Sequence, residues 1–157
     1  MAYLKWNDDL STGIAVIDDQ HRQIVRMINE LDDAQRDGST TKVRAVINGQ
    51  VDYTVSHFAF EEAMLEEAGY VFTKAHIRVH QVFIKRVETY RERFSQGEDI
   101  ADELNGLLGR WLFSHIRNDD RNYVAAVSEN LRRLSADASE KGWLRRASRR
   151  FFNRGSE

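Results

Sequence analysis

Five histidines occur in the chain. His57 stands four residues before Glu61, and His76 stands four before His80. His115 stands four residues before Asp119 and five before Asp120. The remaining one, His21, lies alone near the start of the first amphipathic stretch. Residues four apart share one face of an α-helix, one turn above each other. Each pair can therefore aim two donor atoms at one point between packed helices. Imidazole nitrogens mixed with carboxylate oxygens, without thiolates, suit a transition metal such as iron. A single pair of this kind arises often by chance, and a lone helical histidine is usually a surface or core residue. The weight rests on the whole set, which leaves no histidine over.

Other chemistries lack their residues. Ferritin-like di-iron enzymes use Glu-x-x-His, but the residues three before the histidines are Asp18, Thr54, Thr73, Ile77 and Leu112. Zincin proteases need H-E-x-x-H, and here Ile77 follows His76, which removes their general base. There is no G-x-x-x-x-G-K-[ST] phosphate loop and no G-x-S-x-G elbow. No cysteine is present, so disulfides and thiolate metal sites are excluded.

The elements that must position these ligands are helical. At 157 residues the chain is one domain by length and can bury a real core. It has no proline to break a long helix. Helical periodicity predicts helices over about 19–37, 41–68, 73–95 and from about 100 through His115 towards Leu134. Gly38, Gly69 and Gly97 close the first three, and Thr73 is a plausible N-cap of the third. Short loops between long helices favour antiparallel neighbours. The expected fold is all-α: an up-down-up-down antiparallel four-helix bundle over residues 1–135, with a basic amphipathic tail at 136–157. Residues 1–16 form an arm that Trp6, Leu10 and Ile14 can pack across the bundle, with Gly13 permitting a turn. No apolar leader and no run of eighteen apolar residues occurs, so the expectation is a soluble cytoplasmic protein.

On these helices the first contributes His21, the second His57 and Glu61, the third His76 and His80, the fourth His115 and an aspartate. A site fed by all four lies inside the bundle. Seven side chains are too many for one ion and suit two. With both carboxylates and one solvent oxygen bridging, about twelve octahedral positions are filled except one. One open position is what reversible binding of a small ligand requires.

The combined pattern resembles the hemerythrin family. The matching parts are Trp6, Leu10, Gly13-Ile14, Ile17-Asp18-Asp19-Gln20-His21, His57-Phe58, Glu61-Glu62, His76, His80, Trp111-Leu112, His115-Ile116 and Asp120, spread over about residues 3–134. The resemblance implies a non-haem di-iron site, oxo- or hydroxo-bridged, that binds dioxygen reversibly as a carrier, store or delivery protein. By analogy His76, His80 and His115 hold one iron. His21 and His57 hold the other, which keeps the open position, and Glu61 and Asp120 bridge. The resemblance implies no catalysed reaction. Alternatives are an oxygen or redox sensor acting through the tail, and a di-iron peroxidase or nitric oxide-handling enzyme. Against the enzyme, no spare His, Tyr or carboxylate is evident as an acid–base group.

Geometry leaves the aspartate open. On a regular helix Asp119 lies about 40° from His115 and Asp120 about 140° away. The family spacing implies Asp120, and a locally widened turn, a π-bulge, would reconcile the two. The pocket is expected to be apolar, walled by Ile24, Phe58, Trp111, Leu112 and Ile116. Such walls also disfavour the escape of charged oxygen species.

The formal net charge is −2, but residues 141–157 alone carry six Lys/Arg and one Glu. The acidic body argues against nucleic-acid binding. Trp143, Ala147 and Phe151 are four apart, among Arg145, Arg146, Arg149 and Arg150. A short basic amphipathic helix over residues 141–154 can lie on an anionic membrane, dock on a protein partner or fold back on its own bundle.

Overall fold

The computed structural model describes residues 3–136 and 141–152, with side chains described except at 134–136 and 141–145. Trp143, Leu144, Arg145 and Arg154 of the expected basic helix fall outside the described side chains. Among the described residues the chain is all-α. The helices are α1 (Ala15–Arg36), α2 (Thr40–Glu67), α3 (Thr73–Ser95), α4 (Ala101–His115), α5 (Arg121–Ala136) and α6 (Lys141–Phe152). A 3-10 turn spans Asp8–Leu10, and a π-turn, Ile116–Asp120, joins α4 to α5 without a break. The expected four-helix bundle is present, its fourth member being α4, the π-turn and α5 together. α1 packs on α2 and α4, and α2 packs on α3.

α1 begins four residues before the expected start. Its N-cap, Ile14, offers no side-chain acceptor, so the usual start signal is missing. Asp18, one turn into the helix, reaches back instead. Its carboxylate accepts from the backbone N–H of Thr12 (2.8 Å) and Gly13 (3.2 Å) and from the hydroxyls of Ser11 and Thr12. Thr73 likewise is not a cap. It lies inside α3 and donates its hydroxyl to the Tyr70 carbonyl at 2.6 Å.

The turn from α2 to α3 shows why Gly69 ends the helix where it does. Gly69 sits at φ 65°, a left-handed conformation costly for other residues. Its N–H reaches the Glu66 carbonyl, and the Tyr70 N–H reaches Leu65. This Schellman closure satisfies the last carbonyls of α2 and sets Tyr70 beside Tyr123.

Two apolar clusters fill the interior. The larger holds Ile24, Ile28, Phe58, Phe83, Leu104, Leu112 and Ile116. Inside the bundle, Gln50 donates to Asn105 (3.2 Å) and Asn105 donates to the Ile28 carbonyl (3.0 Å), which ties α1, α2 and α4 in register. The arm is held by Asn29, whose amide accepts from the Leu4 N–H and donates to the Leu4 carbonyl. Arg121, just past the π-turn, donates to the Asp9 carbonyl.

The second cluster includes Ile14, Ile17, Phe60, Met64 and Tyr123, and α6 adds to it. Ala147 of α6 is buried, and the rings of Phe151 and Phe152 lie 6.3 and 5.8 Å from Phe60. Phe152 also sits 5.2 Å from Tyr53. The described apolar residues of the tail helix thus face its own bundle, while Arg146, Arg149 and Arg150 face solvent. Deleting residues 141–157 is expected to lower stability by on the order of 2 kcal/mol, since it uncovers Phe60 and Tyr53. Iron content should be unchanged, because every candidate ligand lies between His21 and Asp120. Urea melts and metal analysis of the truncated chain check both. No helix among the described residues is long and apolar enough to cross a membrane.

Candidate metal centre

All seven expected ligands converge in the middle of the bundle. His21, His57, Glu61, His80 and Asp120 are 0% exposed, His115 is 2% and His76 is 6% exposed. Two groups of donor atoms can each surround an ion: Glu61, His76, His80 and His115 form one, and His21, His57 and Glu61 the other. Glu61 belongs to both. Its Oε1 lies 2.5 Å from His76 Nε2 and 3.2 Å from His80 Nε2, while its Oε2 lies 3.5 Å from His57 Nε2. Asp120 is split in the same way. Its Oδ1 faces His115 (3.0 Å) and His76 (3.3 Å), and its Oδ2 faces His21 (3.3 Å). Each carboxylate thus turns one oxygen to each histidine group.

The π-turn explains how Asp120 arrives. One extra residue in the turn brings the i+5 side chain inward, where a regular helix would send it elsewhere. Asp119 keeps its i+4 place and bonds the other side of the same ring, with His115 Nδ1 at 2.7 Å from Asp119 Oδ2. His115 therefore meets both aspartates, one at each nitrogen.

The donor set fits a metal pair. Both nitrogens of His21, Nε2 of His57 and both oxygens of Asp120 are buried without a hydrogen-bond partner of adequate geometry among the described residues, although His21 and Asp120 lie within ion-pair distance. Buried polar atoms left unpaired are costly, and these five belong to three of the candidate ligands. Outer partners fix which nitrogen points inward. Gln20 holds His57 Nδ1 (2.7 Å), Glu62 holds His80 Nδ1 (3.1 Å) and Asp119 holds His115 Nδ1. Such bonds set ring orientation and tautomer.

Charge is arranged to match. Burial opposes ionisation of Glu61, but contacts with His115, His76 and His80 outweigh it and hold the carboxyl well below its usual range. Asp120 is held low as well: burial and the Glu61 charge act against it, and His115, His21 and His76 prevail. Burial works against a charge on His76 and His115, yet both carboxylates push them up, to about 9 and about 10. His57, buried and beside His21, is pushed down to about 3. Without bound metal, His76 and His115 are therefore expected to stay protonated at neutral pH. A metal needs both rings neutral, so it competes with those protons. Metal uptake is expected to release a proton from each and to tighten as pH rises towards 9–10, then to level off. Anaerobic ferrous titration in weak buffer with a pH indicator measures this, and uptake without proton release would contradict it.

Of the expected pocket residues, Ile24, Phe58, Leu112 and Ile116 are buried and Trp111 is half-buried. Phe58 lies flat on His80, with ring centroids 4.0 Å apart, and Trp111 lies flat on His115 at 4.3 Å. These two rings thus cover the three-histidine group, with Phe83 stacked behind Trp111 at 3.8 Å. One expectation is corrected. A tyrosine does stand at the site: Tyr123, fully buried, donates to Glu61 Oε2 at 3.2 Å. Burial and the charges of Glu61 and Asp120 push its phenol well above the usual value, so it stays protonated and serves as a fixed donor. Its place three residues after Asp120 was the available signal, because that spacing returns to the same helix face.

Residues 12–127 match the family described as the hemerythrin HHE cation binding domain. A bacteriohemerythrin of Pseudomonas aeruginosa is 57% identical over 152 residues, covering 97% of this chain and 99% of the relative. A bacteriohemerythrin of Methylococcus capsulatus is 28% identical over 130 residues, covering 82% of this chain and 99% of the relative. The crystal structure of wild-type hemerythrin superposes with a TM-score of 0.77 at 26% identity, over 81% of this chain and 99% of that one.

Proposed function

The chain belongs to the hemerythrin family, and on that premise we propose that it binds dioxygen reversibly at a non-haem di-iron centre inside the bundle. Proteins of this family bind iron and are in general not enzymes. The observation that carries the reading is the division of Glu61 and Asp120, each with one oxygen towards each histidine group. His76, His80 and His115 would hold one ion and His21 and His57 the other, with Glu61 and Asp120 shared between them. When bound, the iron pair supplies the two electrons that reversible oxygen binding draws on.

The rest of the work belongs to the chain. The two-histidine side offers fewer donors than the three-histidine side, so the small ligand enters there. Gln20, Glu62 and Asp119 keep Nε2 of their histidines facing inward. Tyr123 donates to Glu61 Oε2 and holds that oxygen on the side of His57. Buried Ile24, Leu112 and Ile116 keep water out, which disfavours the departure of charged oxygen species and so slows oxidation of the centre. Residues 1–135 carry this function and hold every candidate ligand.

Iron-loaded, reduced protein is expected to develop a visible charge-transfer band under oxygen and to lose it under argon, over repeated cycles. Irreversible oxidation with no reversible band on a stopped-flow timescale would favour the peroxidase-type alternative. The sensor alternative has one physical support. α6 leans on Phe60, the residue before Glu61, so a change at the metal pair has a short path to the tail.

A further inference from the structure

We propose that the outer face of α3, over the cleft at His76, docks a small acidic one-electron carrier protein that re-reduces the metal pair. This rests on the di-iron reading above. Ferrous ions that meet oxygen are now and then left ferric, and a ferric pair has no electrons to share with oxygen. Each ferric ion needs one electron, and each encounter with a reduced carrier delivers one as the carrier's own centre is oxidised. Two encounters restore the pair.

The place of entry is marked by burial. His76 is the most exposed candidate ligand, at 6%. It lines an open cleft together with Tyr70, Phe72, Val79, Asp119 and Asn122. Two short routes lead inward from this cleft. His76 itself reaches Glu61 and Asp120. Tyr70 lies 6.4 Å from the ring of Tyr123, which lies 5.5 Å from the ring of His76.

The surface around the cleft is unusual for a charged helix. Phe72 is 65% exposed, Val79 36% and Val82 66%. Spacings of seven and ten residues put the three on one helical face. A single exposed apolar side chain needs no explanation, but a stripe of them beside a site does. The flank of the stripe is basic. Lys74, Arg78, Lys85 and Arg86 are exposed, and among the described residues none makes an ion pair. Further along the same helix the pattern reverses, since Arg91 is paired with Asp52 and Glu88, and Arg93 with Glu98 and Glu103. Asp119, on the opposite rim, is tied to His115 Nδ1. Unpaired cations around an apolar centre fit a partner with acidic charge around its own redox centre. Small contacts steered by charge are typical of electron-transfer pairs.

The test uses the full-length, iron-loaded protein, oxidised, with a reduced acidic plant-type ferredoxin as probe, freed of excess reductant. The second-order rate of reduction is followed by stopped flow at 10 mM and 1 M salt, where the Debye length is about 30 and about 3 Å. The rate is expected to fall at least about tenfold at high salt, and again in the K74E/R78E double variant and in Val82→Asp. Iron content, the oxygen spectrum and reduction by a small neutral reductant should stay unchanged in these variants. Rates that ignore both salt and the variants overturn the proposal. So does a full-length protein that sediments as a dimer which Val82→Asp dissociates, for then the stripe joins two copies of this chain. A protein that takes up no iron overturns the oxygen-binding reading and this one together. Normal iron loading with salt-independent reduction overturns this one alone.

Discussion

Asp120→Ala is expected to reduce the iron content from two per chain to one or fewer, while Asp119→Ala keeps both. Two divalent ions held about 4 Å apart repel each other strongly, and bridging carboxylates offset that repulsion. On the proposed di-iron reading, Glu61 alone would bear that task once Asp120 is gone, and His21 loses the one carboxylate within 3.3 Å of its ring. The two-histidine side, already poorer in donors, should empty first. Asp119 touches only the outward nitrogen of His115, 2.7 Å away. Losing an outer partner of this kind typically costs about 10–100-fold in metal affinity, which a tight site tolerates at stoichiometric loading. Iron analysis of the two purified variants decides the matter. The opposite ranking would make Asp119 the bridge and leave the π-turn without a role.

Phe58→Ala should have the largest effect on stability. The ring is 1% exposed, stacked on His80 at 4.0 Å and edge-on to Trp111 at 5.1 Å. Truncating such a ring leaves a cavity that rigid helices fill poorly, at a cost of about 3–5 kcal/mol. Against a total of about 5–15 kcal/mol, that is a large share. The melting midpoint should fall by roughly ten degrees. Phe58→Leu, which refills most of the space, should recover most of it. Calorimetry of both iron-loaded variants checks the ranking, and an Ala variant that melts within a degree or two of the parent would show that the ring is not part of the rigid core.

Much of the fold was legible because helical period and glycine stops are local signals. The ends of α2 and α3 followed from Gly69 and Gly97, whose backbone carries positive φ. The start of α1 was not legible, because its stabilising carboxylate, Asp18, lies inside the helix and reaches backwards. At the site, the i+4 pairs His57/Glu61 and His76/His80 were visible as spacing. Their outer partners were not. Nothing in the order Glu61-Glu62 says that the second carboxylate reaches His80 on another helix. Spacing from Asp120 could place Tyr123 on the face of the site, but not its partner, since its hydroxyl meets Glu61 across the bundle.

The tail shows where the reading of a single helix ends. Spacing of Trp143, Ala147 and Phe151 declares an amphipathic helix but does not say what the apolar side will face. Packing decides that: Phe60 and Tyr53 offer aromatic surface on α2 within reach, and the described part of α6 takes it.

Taken alone, the sequence determined the kind of donor, the helix each donor rides on and the presence of two carboxylates among five histidines, because types and i+4 spacing are local properties of a chain. Only the tertiary structure decided which oxygen faces which histidine group, which of two adjacent aspartates turns inward, and which ring edge meets solvent. Those outcomes depend on one inserted residue in the π-turn and on how four helices rotate against each other. Rotation and register arise from side chains distant in sequence filling the same space, and that is a property of the packed molecule.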